Sequence, residues 1–311
     1  MARVPEGALR QFGTERRVAP STAVTGVSTA SGTFGELLQG VLPEADSDFL
    51  VTLPIARWAR ATFHGTPGTN GVEVYPAHKR KALRLAEMIT SSSAAPMGGV
   101  LTVESTLPEG KGLASSSADL VATARAVANA LGEPMPPRRI ERLLARIEPT
   151  DGVLYPGIVA FYHRRVALHS KLGALPPMTV VGVDEGGEID TVAFNRIPKP
   201  FSAADRAEYA RLLERMTTAV ARADLAEVGS VATRSALMNQ VLRPKRMLSS
   251  VIEICRQVGG LGVVVGHSGT SLGVLLDTAD PAYPQRVVDA ASACSELAGN
   301  VTVYRTLSFD R

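Results

Sequence analysis

Cysteine, histidine, lysine and aromatic side chains are all scarce in this sequence. Cys255 and Cys294 are the only cysteines in 311 residues. So few exclude a disulfide framework and a cysteine-based metal cluster. Each lies in an apolar, helix-like pattern, where a free cysteine acts as a small hydrophobe. The histidines (His64, His78, His163, His169 and His267) form no H-x-x-x-H or H-E-x-x-H pair, which argues against a zinc site. Net charge is only +3 and aromatic content 5%. Both count against a nucleic-acid-binding surface. The first residues contain no apolar stretch. Residues 1–22 mix Arg3, Arg10, Arg16 and Arg17 with Glu6 and Glu15, and read as an irregular extension rather than a secretory or transit segment. The longest uncharged run, Gln257 to Leu276, has twenty residues, enough for a membrane span. Its six glycines and its His267, Ser268, Thr270 and Ser271 point instead to two buried strands around a turn. A cytoplasmic protein with no membrane or nucleic-acid partner is expected.

What is present is the composition of a globular protein, 45% hydrophobic and 20% charged. The length suits one large or two ordinary domains. Arginine dominates the basic residues, and lysine occurs only at 79, 81, 111, 171, 199 and 245.

The chain is organised around Pro108 to Leu131, PEGKGLASSSADLVATARAVANAL. Pro108, Gly110 and Gly112 punctuate a loop. The alanines from Ala118 to Ala130 favour a helix, which Gly132 and the prolines after it stop. Ser115, Ser116 and Ser117 stand at the junction, where a serine is a preferred N-cap. Glycines that let backbone N–H groups converge on a helix N-terminus make an anion site suited to phosphate. Lys111 adds a positive charge within the loop. Many Gly/Ser loops lead into helices and bind nothing. This helix, however, carries only Asp119 and Arg125 as charges. It is apolar almost all round and reads as buried, so an anion at its start would sit in a cleft of low dielectric. The loop is not a Walker A motif, since no G-x-x-x-x-G-K-[ST] surrounds Lys111.

P-x-x-x-G-L-A-S-S-S-A resembles the phosphate-binding motif of the GHMP kinases. The resemblance extends to SGTFGELLQG at Ser31–Gly40, the place of the family's first motif. It extends also to GVVVGHSGTSLG at Gly262–Gly273, the place of its third. It implies an α+β fold of GHMP kinase architecture. The N-terminal unit would be α/β like ribosomal protein S5 domain 2, and the C-terminal unit ferredoxin-like α+β. The expected division is an extension at 1–22, an ATP-binding domain at 23–172 and a second domain at 173–311.

The resemblance also implies ATP and Mg²⁺, with the nucleotide phosphates on Pro108, Gly110, Lys111, Gly112, Leu113, Ala114, Ser115, Ser116 and Ser117. Ser116 would ligate the metal, with Glu148 as a second ligand, and Ser117 would be the ordinary helix cap. Asp151, in the turn EPTDG, would orient or deprotonate the acceptor hydroxyl, with Lys111 assisting. Read in isolation, Asp151 is an Asx-turn residue before Gly152. Gly35, Glu36, Asp151, His267, Ser268, Gly269 and Thr270 would face the acceptor. Glu36 could bind a substrate ammonium or equally cap a backbone N–H. His267 could contact phosphate or substrate, or be satisfied by neighbouring backbone. The basic helix Arg138–Ile147 is the nearest candidate in sequence for a substrate carboxylate. Many members carry a Lys or Arg in the first motif, and here that place is near Thr33. The details of SGTFGELLQG, GKGLASSSAD, EPTDG, Asp184–Thr191 and GHSGTSLG look like those of the L-threonine kinases of the cobalamin side-chain branch. The expected partner is therefore a small hydroxy amino acid, L-threonine, bound by a monomer or homodimer. A kinase for homoserine, serine or an isoprenoid precursor stays open, as does a silent binding protein of the same fold.

The rest of the chain alternates strand and helix patterns. Val24–Ala30 reads as a strand followed by a Gly-bounded turn. Phe49–Phe63 contains two strand-like runs, and Lys79–Ser93 is an amphipathic helix. Val159–Tyr162 and Val166–Ser170 form a hairpin. GALPP reads as a linker before the strand Met178–Asp184. Ser202–Arg222, Asp224–Leu242 and Met247–Val258 are helices, then come two strands, the helix Tyr283–Leu297 and a last strand at Asn300–Thr306.

Overall fold

Alternation of apolar residues builds most of the structure into one mixed sheet with helices against it. The coordinates are a computed structural model and describe residues 23–44, 48–94, 97–187, 199–267 and 269–309. The expected extension at 1–22, Ser268 and residues 188–191 lie outside the described residues. The strands are β1 (Val24–Val41), β2 (Asp48–Pro67), β3 (Val72–Tyr75), β4 (Met97–Ser105), β5 (Ile158–Tyr162), β6 (Ala167–Gly173), β7 (Met178–Asp184), β8 (Gly262–Val265), β9 (Ser271–Asp277) and β10 (Val301–Arg305). The helices are α1 (Arg80–Ser91), α2 (Ser115–Leu131), α3 (Pro137–Leu144), α4 (Ala203–Arg222), α5 (Leu225–Met238), α6 (Leu248–Gln257) and α7 (Tyr283–Ala298).

The sheet runs β10-β7-β9-β8-β1-β2-β4-β3, with the β5–β6 hairpin branching from β2. Every named pairing is antiparallel except β3 with β4. The segment β10-β7-β9-β8, with helices between β7 and β8 and between β9 and β10, is the β-α-β-β-α-β arrangement expected for a ferredoxin-like unit. Side-chain alternation buries both faces of β7, β8 and β9, while β10 is a partly exposed edge. Val263 and Val265 join Ile254 of α6 and Cys294 of α7 in one cluster, while Val264 lies in the larger core. Cys255 and Cys294 are free and buried, as expected of small hydrophobes.

Two expectations need correction. The first two strands are longer than the residue patterns suggest. Ser31–Gly40 is not a turn after a strand: β1 continues through it, with register shifts against β2 between Ser31 and Thr33, Thr33 and Glu36, and Glu36 and Leu38. Such irregularities bend a strand without ending it. Phe49–Phe63 likewise belongs to a single strand, β2. The irregular part of β1 is also where the two halves of the sheet meet, through the pairing of Glu36 with Val265 of β8.

Candidate active site

Helix α2 is held by burial. Twelve of its seventeen residues are buried, and Gly26 of β1 brings strand and helix so close that a Cβ there would lie 2.0 Å from the Ala126 carbonyl oxygen. Ala114 is the N-cap, at φ 56° in the left-handed region, and no side chain caps the helix. This corrects the reading of Ser117 as cap. The first N–H groups of α2 have no partner within the helix, and they open on a cleft of about 440 Å³. Its walls include Gly110, Gly112, Leu113, Ala114 and the three serines, with Glu36, Glu148, Asp151, His163 and His267 around them.

The loop before α2 is fastened on two sides. Gly35 and Thr33 of the β1 irregularity donate backbone N–H to the Gly112 and Leu113 carbonyls at 3.1 and 3.3 Å. Gly269 lies against the other side, where a Cβ would fall 2.1 Å from the carbonyl carbon and oxygen of Lys111. Thr33, at the place where many GHMP kinases carry a basic residue, is wholly buried. Its hydroxyl donates to the Gly35 carbonyl and accepts from the Leu53 N–H. It therefore braces the strand irregularity.

The serines separate by partner. The Ser116 hydroxyl donates to Oε1 of Glu148, whose Oε2 lies 2.5 Å from Nζ of Lys81. The Ser117 hydroxyl accepts the Asp151 N–H at 3.1 Å and donates to its carboxylate at 3.3 Å. Burial pushes the Asp151 carboxyl up to about 6, against the Ser117 bond and with the Glu148 charge. Glu36 is buried, and one of its carboxylate oxygens, Oε2, has no hydrogen-bond partner. Burial, and then Asp151, raise its pKa well above the usual carboxylate range, while the His267 backbone N–H opposes them. Nδ1 of His267 lies 2.7 Å from Oε1 of Gln39, and its ring packs edge-on against His163. Burial and the neighbouring charges hold His267 well below the usual imidazole range, so it faces the cleft as a neutral ring.

Not every expected residue reaches the cleft. Lys111 turns away: its ammonium sits 2.7 Å from Asp184 and donates to the Gly187 carbonyl. Pro108 and Lys111 are not among the lining residues, and neither are Gly35, Gly269 and Thr270. The Thr270 hydroxyl donates to Asp184, so Lys111, Asp184 and Thr270 tie the loop to β7. The basic residues of α3 do not line the cleft either; Arg139 pairs with Glu133.

The lining cations come from an unexpected place, the run His78-Lys79-Arg80-Lys81 at the start of α1. Lys79 bridges Glu109 at 2.5 Å and Asp119 of α2 at 2.7 Å. Two of only six lysines fall in this run, which was the available signal. Lys245 is the other residue missed. It is buried, donates to the Gly269 carbonyl, and is pushed down to about 8 by burial and by Arg243.

Among the described residues no group of three His, Cys, Asp or Glu is placed to hold a metal. The Ser116–Glu148 pair offers hard oxygen donors beside the α2 N-terminus. That set fits Mg²⁺, which is usually held by one or two carboxylates together with substrate phosphates.

Helix N–H donors beside a hydroxyl–carboxylate pair suit this cleft to an anionic ligand such as a phosphate. A family model for the GHMP kinases N terminal domain matches residues 79–159, and one for the GHMP kinases C terminal region matches 216–295. The chain belongs to the GHMP kinase family and is an ATP-dependent small-molecule kinase; members of the family use ATP with Mg²⁺. It is 28% identical to the L-threonine kinase of Citrobacter freundii over 252 residues, 81% of this chain and 86% of that one. It is also 28% identical to the L-threonine kinase of Salmonella typhimurium, over 65% of this chain and 63% of that one. The fold matches L. major mevalonate kinase in complex with R-mevalonate, with TM-score 0.67 and 16% identity over 94% of this chain and 99% of that one. It matches homoserine kinase from Cytophaga hutchinsonii with TM-score 0.69 and 15% identity over 97% and 98%. No described helix is long and apolar enough to cross a membrane.

Proposed function

We propose that the protein phosphorylates the side-chain hydroxyl of L-threonine, giving O-phospho-L-threonine and ADP. One observation carries the choice of an amino acid. Glu36 is a buried carboxylate with an unpartnered oxygen on the wall of the cleft that also holds Asp151. A buried carboxylate of this kind is costly unless a cation joins it, and an α-ammonium supplies one. The likeness to the two L-threonine kinases supports the same acceptor.

Phosphoryl transfer needs positioning and charge neutralisation more than covalent chemistry. The N–H groups of Gly110 to Ser117 receive the nucleotide phosphates. Ser116 and Glu148 would hold Mg²⁺, which neutralises charge on those phosphates. Asp151, kept in place by Ser117, orients the acceptor hydroxyl and takes its proton. Its raised pKa, about 6, makes it a stronger base than an ordinary aspartate while leaving it ionised at neutral pH. The third glycine-rich segment packs against the loop before α2 at Lys111 and Gly112.

The test is to supply Mg-ATP with L-threonine, L-serine, L-homoserine and mevalonate in parallel, and to measure ADP and phosphorylated product. Threonine should give the highest kcat/KM, and Glu36→Gln should raise the threonine KM far more than the ATP KM. A tenfold preference for homoserine or mevalonate, or ADP release without a phosphorylated acceptor, would sink the proposal.

A further inference from the structure

The first turn of α1 carries its charges at the wrong end of the helix. Lys79 is the N-cap and Arg80 and Lys81 follow, with no acidic residue in that turn. Cations at a helix N-terminus oppose the macrodipole. Anions facing the turn must compensate, and three do: Glu109, Asp119 and Glu148.

The two lysines are not equivalent. The Lys79 side chain is 11% exposed and is held by two carboxylates, one of them on α2. The Lys81 side chain is 51% exposed and has a single carboxylate partner, Glu148, which is itself 8% exposed. The fixed member of that pair is therefore the carboxylate, and the movable member is the lysine.

Both Glu148 oxygens already accept a hydrogen bond. Oε1 accepts from the Ser116 hydroxyl and Oε2 from Lys81. A divalent cation of the magnesium type needs an oxygen lone pair at about 2.1 Å, and on Oε2 it would be repelled by the ammonium 2.5 Å away. The Ser116 hydroxyl can keep its bond to Oε1 while its own oxygen turns to the metal. Lys81 would keep its bond only against the repulsion between the two cations. Its side chain lines the same cleft as Gly110, Gly112 and the serines, so the oxygens of a polyphosphate placed there lie within its sweep.

We propose that Lys81 and the divalent cation are alternative counter-ions of Glu148, and that Lys81, once displaced, transfers its charge to the nucleotide polyphosphate. The buried carboxylate would then never stand without a cation, and Glu148 would accept a metal well only when a polyphosphate is there to receive the lysine. Lys81 acts as a positioning residue that couples metal binding to nucleotide binding. The inference rests on the assignment of Ser116 and Glu148 to the metal.

Mn²⁺ binding, followed by electron paramagnetic resonance, tests it on the full chain. Wild type, Lys81→Met, Lys81→Arg and Glu148→Gln are each titrated with and without a non-hydrolysable ATP analogue. Without the analogue, Lys81→Met should bind Mn²⁺ about tenfold more tightly than wild type, because the competing ammonium is gone. With the analogue it should bind the analogue about tenfold more weakly, because the lysine–phosphate contact is lost. Lys81→Arg should stay close to wild type in both. Either change without the other overturns the exchange, as does a variant indistinguishable from wild type. Lys81→Gln replaces Lys81→Met should the latter not fold. If Glu148→Gln binds Mn²⁺ as well as wild type in the presence of the analogue, the metal assignment itself is wrong and the exchange falls with it.

Discussion

Helix α2 enters the cleft with no charged side chain in its first turn, whereas α1 enters it with Lys79, Arg80 and Lys81. α2 is buried on nearly all sides and its starting residue is in a left-handed conformation. α1 buries a single stripe, Ala82, Leu85, Ala86, Ile89 and Thr90, and reaches the site through ion pairs. One wall offers fixed backbone donors and the other offers charges on long side chains. The difference separates two tasks. Preorganised dipoles stabilise charge that develops in the transition state without having to move, while lysines can follow a ligand that enters and leaves.

The largest effect should come from breaking the contact between the fixed wall and its carboxylate. Asp151→Asn should lower kcat by about 10²- to 10⁴-fold, the usual contribution of a general base. It should not lower stability. The native carboxyl titrates near 6 against 3.8 for the free group, so the folded state binds its proton more tightly than the unfolded chain. Stability therefore falls as pH rises from 3.8 to about 6 and stays lower above that. Asparagine removes the penalty, worth about 1–3 kcal/mol for a partly buried group, and the melting temperature at pH 7 should rise. Activity should run the other way, since the proposed mechanism uses the ionised form as base: wild-type kcat/KM should climb through pH 6. A flat profile between pH 5 and 7 would refute the assignment.

Next in size is the ionic wall. Lys79→Met leaves the Asp119 carboxylate buried without its cation, with Oδ1 already unpartnered. Removing one member of a buried pair costs about 3–5 kcal/mol, less here because Lys79 is partly exposed. Lys111→Met should cost under about 1 kcal/mol, because its partner Asp184 is about a third exposed. Urea denaturation of both variants, and of Lys79→Met combined with Asp119→Asn, checks the ranking. The double variant should recover much of the loss.

The fixed wall can be loosened from behind. An alanine at Gly269 would place its Cβ 2.1 Å from Lys111 backbone atoms, and backbone cannot yield as a flexible side chain can. The two loops must part. Gly269→Ala should destabilise by about 1–3 kcal/mol and raise the ATP KM, while the same substitution at Gly187, where a Cβ meets nothing but φ is +81°, should cost only backbone strain of about 1–2 kcal/mol and leave the ATP KM unchanged.

The fixed wall was the legible one. Pro108–Leu131 announces itself because a glycine-punctuated loop, a serine junction and an apolar alanine helix are local patterns, and the alternation of strands and helices in the C-terminal half is compatible with the ferredoxin-like unit that the family resemblance implies. The movable wall was not legible. His78–Lys81 reads as the polar start of an amphipathic helix, and only the packing of α1 against α2 turns it toward the loop before α2. Lys111 misleads for the converse reason. A lysine inside a phosphate loop suggests a phosphate contact, but the direction of its side chain depends on Asp184, 73 positions further along the chain. Lys245 was hidden because its importance lies in the Gly269 carbonyl it meets.

The smallest effect expected is also the most direct test of strain in the fixed wall. Ala114 begins α2 at φ 56°, a conformation that costs a non-glycine residue about 1–2 kcal/mol. Lys79, which begins α1, has φ −74° and carries no such strain. Ala114→Gly relieves the strain but adds about 0.5–1 kcal/mol of unfolded-state entropy, so the net gain should stay below about 1 kcal/mol. For a chain of this size that is a rise of roughly 1–3 °C in melting temperature. Turnover should fall slightly, because glycine lets the loop sample conformations in which its N–H groups no longer converge on the phosphates. A Lys79→Gly variant offers the contrast, since there is no strain to relieve and two ion pairs to lose. If both variants lost stability alike, the left-handed Ala114 would not be storing strain, and the two helix starts would differ in charge alone.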